Sequence, residues 1–433
     1  MVEIKPFNPE QTQKLVETLA LAPMLGEMVP SERPTGIVAT ALADYYRAIL
    51  NAVENGKPIV LQQLCLGPEL FYAFDVQPVN PEAWAAVPLL TNAEMAVPYL
   101  DVAESAGVAA DLCSVNRTMI GELISGSIPR PDFIAWASQP CDSIKVGYYI
   151  AKHLTGVPMF FIDSPQWDTP ECLDYYAHQV RQLIAFLEEQ TGRKLDWDRL
   201  KEIVEESNRA VEYVIELNEL RKLVPCPSDS RVPTYLFITF LTMLGLPGAT
   251  AMYKAFRDDA KERAQKKEGV VPEEKIRGIW FSIMVPWDLF WQNWLQEELG
   301  HVNVMDMFGY LTASPIDTST PDKLIRGLAE RWHMAVPMGR QARGIVDSYF
   351  NDFLYVYEEW KGDCLILAGN SGCRWLKGAY GMLREICRER EIPVLQFDID
   401  IFDPRFVSAE AYRGQVEDFL TTVVMPAKAS KKR

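Results

Sequence analysis

Two stretches of this chain share one plan, and together they commit it to an α/β fold with a thiol at a fixed corner. The first, PDFIAWASQPCDSIKVGYYIAKHLTGVPMFFID, runs from Pro131 to Asp163. Phe133–Ser138 is a short apolar run of strand type, and Asp142–Leu154 has the wider apolar spacing of a helix. Val157-Pro158 then opens a second strand, Met159–Ile162. The second stretch, DCLILAGNSGCRWLKGAYGMLREICREREIPVLQFD, runs from Asp363 to Asp398 with strand, helix and strand in the same order. In each copy an acid opens the unit, a cysteine (Cys141, Cys373) follows about ten residues later, and the closing strand ends in Asp. The pattern predicts two α/β lobes built on parallel, flavodoxin-like sheets, with a site in the cleft beyond the carboxyl ends of the strands.

A third cysteine, Cys113 in DLCSVNRTMIG, precedes another helical run just upstream of the first unit. Cysteines at helix starts meet backbone N–H groups that favour thiolate over thiol. Zinc suits them poorly, because there is no C-x-x-C pair and a closed structural site takes four ligands. Three thiolates from separate loops suit an iron–sulfur cluster with one open iron, although such clusters usually have four cysteines. The four histidines fall on helices or strands away from these corners.

The rest of the chain divides around the two units. Residues 1–56 predict an N-terminal helical segment, 57–230 a first α/β lobe, 231–275 a helical connection and 276–433 a second α/β lobe. Pro58–Leu64 reads as a strand leading into an aromatic loop and short helix. Two long amphipathic helices follow the first unit, the second capped by Asp196. Val232–Tyr253 has no charged residue, but Pro247-Gly248 and four threonines favour a buried helix pair over a membrane span. Arg257–Glu274 reads as a solvated helix and hinge, and AKASKKR as a frayed basic tail.

A chain of 433 residues with a net charge of -16 is expected to bind neither nucleic acid nor an anionic membrane. MVEIKPFNPEQTQK has no apolar signal core, which predicts a cytoplasmic protein whose eight cysteines are thiols or metal ligands.

The runs DLCSVNRTMIG, PCDSIKVGYYIAKHLTGVPMFFID, EEQTGRKLDWDRLKEIVEESN and GNSGCRWLKGAYGMLREICREREIPVLQFDID resemble the 2-hydroxyacyl-CoA dehydratase and benzoyl-CoA reductase family, roughly from Pro58 to Leu420. The resemblance implies a [4Fe-4S] cluster on Cys113, Cys141 and Cys373, with no flavin or nicotinamide. It also implies a smaller homologous cluster subunit as heterodimer partner, an ATP-hydrolysing iron–sulfur activator and an acyl-CoA substrate. GNSGCR lacks the Lys-Ser/Thr end of a phosphate loop, in keeping with reduction from outside. A branch of the superfamily carries a double cubane on six cysteines, for which Cys65 and Cys364 are the candidates here.

The likeness is to the larger, substrate-binding subunit. Dehydratase subunits of that type pair a serine before a PE turn with a later glutamate. Here Glu82 keeps the acid, as the expected proton donor, and Leu64 stands at the serine position. An apolar Leu64 favours a flat, hydroxyl-free acyl group, so benzoyl-CoA reduction is the first expectation and 2-hydroxyacyl-CoA dehydration the alternative. An electron-relay subunit without substrate is the non-enzymatic reading. Glu69 is the rival acid, and Trp84, Trp136, Trp287, Trp291 and Trp294 are candidates to line an aromatic pocket.

Overall fold

The computed structural model describes residues 3–343 and 346–431. Its frame is two four-stranded parallel sheets of the same topology. The first contains β1 (Ile59–Gln62), β2 (Gln77–Val79), β3 (Phe133–Ala137) and β4 (Met159–Ile162) in the order β2-β1-β3-β4. The second contains β5 (Ile276–Trp280), β6 (His301–Asp306), β7 (Cys364–Asn370) and β8 (Val394–Ile399) in the order β6-β5-β7-β8. Every pairing is parallel. The inner strands β1, β3, β5 and β7 are buried along their whole length, as strands covered on both faces must be. At one edge of each sheet, β4 and β8 are only partly buried.

In each sheet the order in which the chain adds strands reverses between two neighbouring parallel strands, β1 and β3 in one and β5 and β7 in the other. At such switch points the loops leaving neighbouring strands part and open a crevice. Both sheets therefore offer a crevice; Cys141 and Cys373 lie on the loops leaving β3 and β7, and Cys113 lies on the loop before the helix Ser114–Ser125.

Several elements differ from the sequence reading. β2, read as loop, is three residues long and contains Pro78, too short for a periodic signal; it is an edge strand, where proline is tolerated. The helix pair expected over Val232–Tyr253 is present as Val232–Met243 and Pro247–Lys266, and the second helix, started by Pro247, runs further than expected, its buried face continuing past Arg257 through Ala260. The charged run read as a solvated helix and hinge is, through Lys266, the outer face of that helix. The helix expected over Trp287–Leu299 begins at Trp291, after a short turn at Pro286–Asp288. The basic tail is helical through Lys431, and its last two residues lie outside the described range.

Val232–Met243 is a helix with all twelve residues buried, which accounts for its lack of charge. Among the described residues no helix is long and apolar enough to cross a membrane. The two long helices are Pro170–Thr191 and Trp197–Arg221, and Asp196 caps the second by accepting from the N–H groups of Asp198 and Arg199. The core they cover on the first sheet also takes Leu324, Leu328 and Trp332 from the second half of the chain. The polypeptide therefore returns from the second lobe to close the far face of the first.

Candidate functional site

Cys113, Cys141 and Cys373 occupy the N-cap positions of the helices Ser114–Ser125, Asp142–Thr155 and Arg374–Glu389. All three border both an open cleft of about 930 Å³ and a smaller inner cavity of about 120 Å³. With Pro140, they form the wall between the two spaces.

Specific contacts hold these corners together across the lobes. Asp400, just past β8, ion-pairs with Arg117 on the Cys113 helix at 3.5 Å and accepts from Ser371 Oγ at 2.8 Å beside Cys373. Trp287 Nε1 donates to the Asp400 carbonyl at 3.0 Å and steadies the same loop. Gly372 passes so close to Cys113 that a Cβ there would lie 2.7 Å from the Cys113 Cα. Asn370 Nδ2, at the end of β7, donates to Cys113 Sγ at 3.3 Å.

Burial pushes the Cys141 thiol up to about 12 and also raises Cys113 and Cys373, and the nearness of the thiols to one another adds to the shift in Cys113 and Cys141. Opposing this, N–H groups of the helix starts are directed at the sulfurs: Val115 at Cys113, Ser143 and Ile144 at Cys141, Trp375 and Leu376 at Cys373. The arrangement leaves neutral thiols alone and suits thiolates once a metal centre supplies positive charge. Among the described residues no three or more His, Cys, Asp or Glu side chains are gathered for a single metal ion. A cubane has different spatial demands, since each thiolate takes a separate iron at a separate corner. Three cysteines spread along one wall, cradled by N–H donors, fit such a group.

The inner cavity is lined almost wholly by carbon. Leu64 enters from the loop after β1, Ile283 from beyond β5, and Ile401 and Phe402 from beyond β8. Phe237 and Leu241 of the buried helix and Phe308 complete much of the rest. Met338 also borders it, in a left-handed backbone conformation (φ 63°) unusual for a residue other than glycine.

Glu82 is the carboxyl group in this cavity. It sits in the first turn of Pro81–Leu89, a helix started by Pro81 and capped by Asn80, whose Oδ1 accepts from Ala83 N at 2.8 Å. Burial pushes the Glu82 carboxyl up to about 8, against hydrogen bonds from its own N–H, Tyr148 and the Leu64 N–H. The acid is thus largely protonated at neutral pH, poised to release and recover a proton.

Glu82 and Leu64 therefore share one cavity with the three cysteines. Glu69 and Trp84, expected beside the substrate, lie elsewhere. Glu69 is fully buried in an ion pair with Arg331 at 3.0 Å and accepts from Ser207 Oγ at 3.2 Å. Trp84 packs on Tyr46 and faces a separate cavity of about 260 Å³. Trp136, Trp287, Trp291 and Trp294 do not line the inner cavity either, whose aromatic side chains are those of Phe237, Phe308 and Phe402. Cys364 opens β7 at its amino end, opposite the cleft, while Cys65 is buried close enough to Cys141 and Glu82 for their charges to raise its thiol. Sequence reasoning missed Asn370, Phe237, Phe308, Met338 and Tyr148. Tyr148 alone had a local signal, standing two helical turns after Cys141 in GYYIAKH.

The family model for the 2-hydroxyglutaryl-CoA dehydratase D-component matches residues 64–423. The chain is 24% identical to a benzoyl-CoA reductase subunit of Thauera aromatica, over 74% of this chain and 78% of the relative. It is 26% identical to the (R)-2-hydroxyisocaproyl-CoA dehydratase alpha subunit of Clostridioides difficile, over 88% of this chain and 94% of the relative. It is 23% identical to the alpha subunit of lactoyl-CoA dehydratase of Anaerotignum propionicum, over 81% of this chain and 87% of the relative. The relatives are named as subunits of acyl-CoA enzymes, both reductase and dehydratases. With a match that spans both lobes and all three cysteine corners, the chain belongs to the family of the 2-hydroxyglutaryl-CoA dehydratase D-component.

Proposed function

We propose that this chain is the substrate-binding subunit of an activator-dependent iron–sulfur enzyme acting on an acyl-CoA thioester. Cys113, Cys141 and Cys373 hold one [4Fe-4S] cluster through three of its irons. The observation that carries this reading is the shared wall: the three cysteines stand between a large cleft and a smaller, almost wholly apolar cavity containing Glu82. When bound, the cluster supplies a Lewis-acidic iron and a low-potential electron. The chain's own residues do the rest. Leu64, Phe237 and Leu241 pack against the acyl group and keep water out, and Glu82 delivers a proton to it. Cys364 at the far end of β7 favours a single cubane over a double one. Reduction from outside implies a smaller homologous cluster subunit and an ATP-hydrolysing activator, and the relatives' names as subunits support an assembly.

For the acyl group we favour benzoyl, reduced with loss of aromaticity, because the cavity is apolar where Leu64 stands. One observation favours 2-hydroxyacyl-CoA dehydration instead. Thr234 lines the same cavity, and its buried hydroxyl has no partner among the described residues. A substrate hydroxyl would satisfy it.

The test is anaerobic reconstitution with partner and activator, followed by assays with benzoyl-CoA and a 2-hydroxyacyl-CoA in parallel. About four irons per chain are expected, as one cubane requires. Cys373→Ala should strip iron and bleach the visible absorption, and a Cys113→Ala protein with its full iron content would disprove the ligand set. Turnover of the 2-hydroxyacyl-CoA with benzoyl-CoA inert would select dehydration and leave the cluster assignment intact.

A further inference from the structure

The carboxyl of Glu82 is held by a residue outside the cavity lining. Tyr148 Oη lies 3.1 Å from Glu82 Oε1 and 3.3 Å from Oε2, a donor shared between the two oxygens. Its ring has little freedom to turn. Tyr148 is fully buried and stacks on Trp136 of β3, with centroids 5.9 Å apart and planes inclined by 13°. It belongs to the buried stripe Ile144, Gly147, Tyr148, Ala151 and Thr155 on the helix whose N-cap is Cys141. One rigid element therefore carries both a cysteine of the shared wall and the hydroxyl that meets the acid.

We propose that Tyr148 is the positioning residue of this site: its hydroxyl holds the Glu82 carboxyl in one orientation at the cavity wall, before and after each proton transfer. The inference rests on the reading of Glu82 as the proton donor, and adds the group that orients it. A hydroxyl that donates to a carboxylate favours the charged form, so it counteracts burial at Glu82. Tyr148 itself stays a phenol, because burial first and the Glu82 charge second push its ionisation well up. The other titratable groups around the pair are Cys65, also pushed up by burial, and the cysteines of the cavity wall. No basic side chain contributes to the Glu82 shift. Tyr148 is thus the side chain that sets how the acid is presented.

The test reads the acid directly and needs no cluster. Infrared difference spectra of the cluster-free protein are titrated, with Glu82→Gln identifying the Glu82 carboxyl band. Tyr148→Phe should raise the midpoint of that band by about one pH unit, a tenfold change in proton affinity, and broaden it as the carboxyl loses its fixed orientation. Fluorination of the Tyr148 ring, which strengthens the donor without changing the fold, should lower the midpoint and keep the band narrow. An unmoved midpoint and unchanged width in the fluorinated protein overturn the proposal, even if Tyr148→Phe fails to fold. In the reconstituted complex, the pH profile of kcat should move with the midpoint. Full turnover by Glu82→Gln would remove the underlying reading of the acid. The infrared result alone decides whether Tyr148 orients it.

Discussion

Glu82→Gln offers a quantitative check on the cavity, because it changes charge with almost no change in shape. In the folded protein burial keeps the proton on Glu82 up to about 8, against an ordinary value of 4.5. The unfolded chain releases that proton near the ordinary value. Between those limits the folded state binds more protons than the unfolded one, so stability falls as pH rises. The contribution is complete below the unfolded value and is lost by the time pH has passed the folded one. At about 1.4 kcal/mol per pH unit, the gap amounts to roughly 5 kcal/mol, a large share of a typical folding free energy of about 5–15 kcal/mol. Glutamine stays neutral throughout and can still accept from Tyr148. Urea denaturation of both proteins, anaerobic and at matched cluster content, should give similar stabilities near about pH 5. Toward about pH 9 the wild type should fall below the variant by several kcal/mol. Parallel loss of stability in the two proteins across that range would refute the placement of a carboxyl without a charged partner in an apolar cavity.

Further outcomes follow from individual contacts. Gly372→Ala places a methyl 2.7 Å from the Cys113 Cα, where only backbone movement can relieve the clash; most of the iron should be lost although no ligand is removed. A full iron and acid-labile sulfide complement in that variant would contradict the close approach of the two corners. Glu69→Ala leaves Arg331 charged and buried, and should cost about 3–5 kcal/mol in denaturation experiments. Pairing it with Arg331→Met should recover much of that loss, and a cost below about 1 kcal/mol for the single change would argue against the buried pair. Leu64→Ser should weaken reduction of benzoyl-CoA by the loss of an apolar contact, about 1–3 kcal/mol in kcat/KM, while improving any turnover of a 2-hydroxyacyl-CoA. No change with either substrate would remove Leu64 from the acyl site.

The repeated topology explains why one cavity can belong to both lobes. Each sheet opens at its own switch point, and the carboxyl ends of both face the same space. Cys141 and Cys373 are equivalent corners of the two sheets, whereas Cys113 comes from a helix between β2 and β3 and is locked to the second lobe through Gly372, Asn370 and Asp400.

What the sequence determined by itself were features written in short-range patterns. Strand and helix periods identified both β-α-β units, with Cys141 and Cys373 at the strand exits and Asp196 at a helix start, because caps and hydrophobic spacing act within a few residues. The repeat also implied paired parallel sheets. Only the tertiary structure decided which of the marked residues meet. Glu82 and Tyr148 are 66 positions apart, and Glu69 and Arg331 are 262 apart. No local period distinguishes an acid beside an apolar cavity from an acid neutralised by a distant arginine. The tryptophans illustrate the same limit, since a large buried ring has the same local signature whether it fills a core or faces a ligand. β2 was missed because three residues carry too little alternation to register. The cover on the first sheet from Leu324, Leu328 and Trp332 was invisible for a different reason: an apolar helix face announces that it will be buried, and only the folded chain determines which sheet buries it.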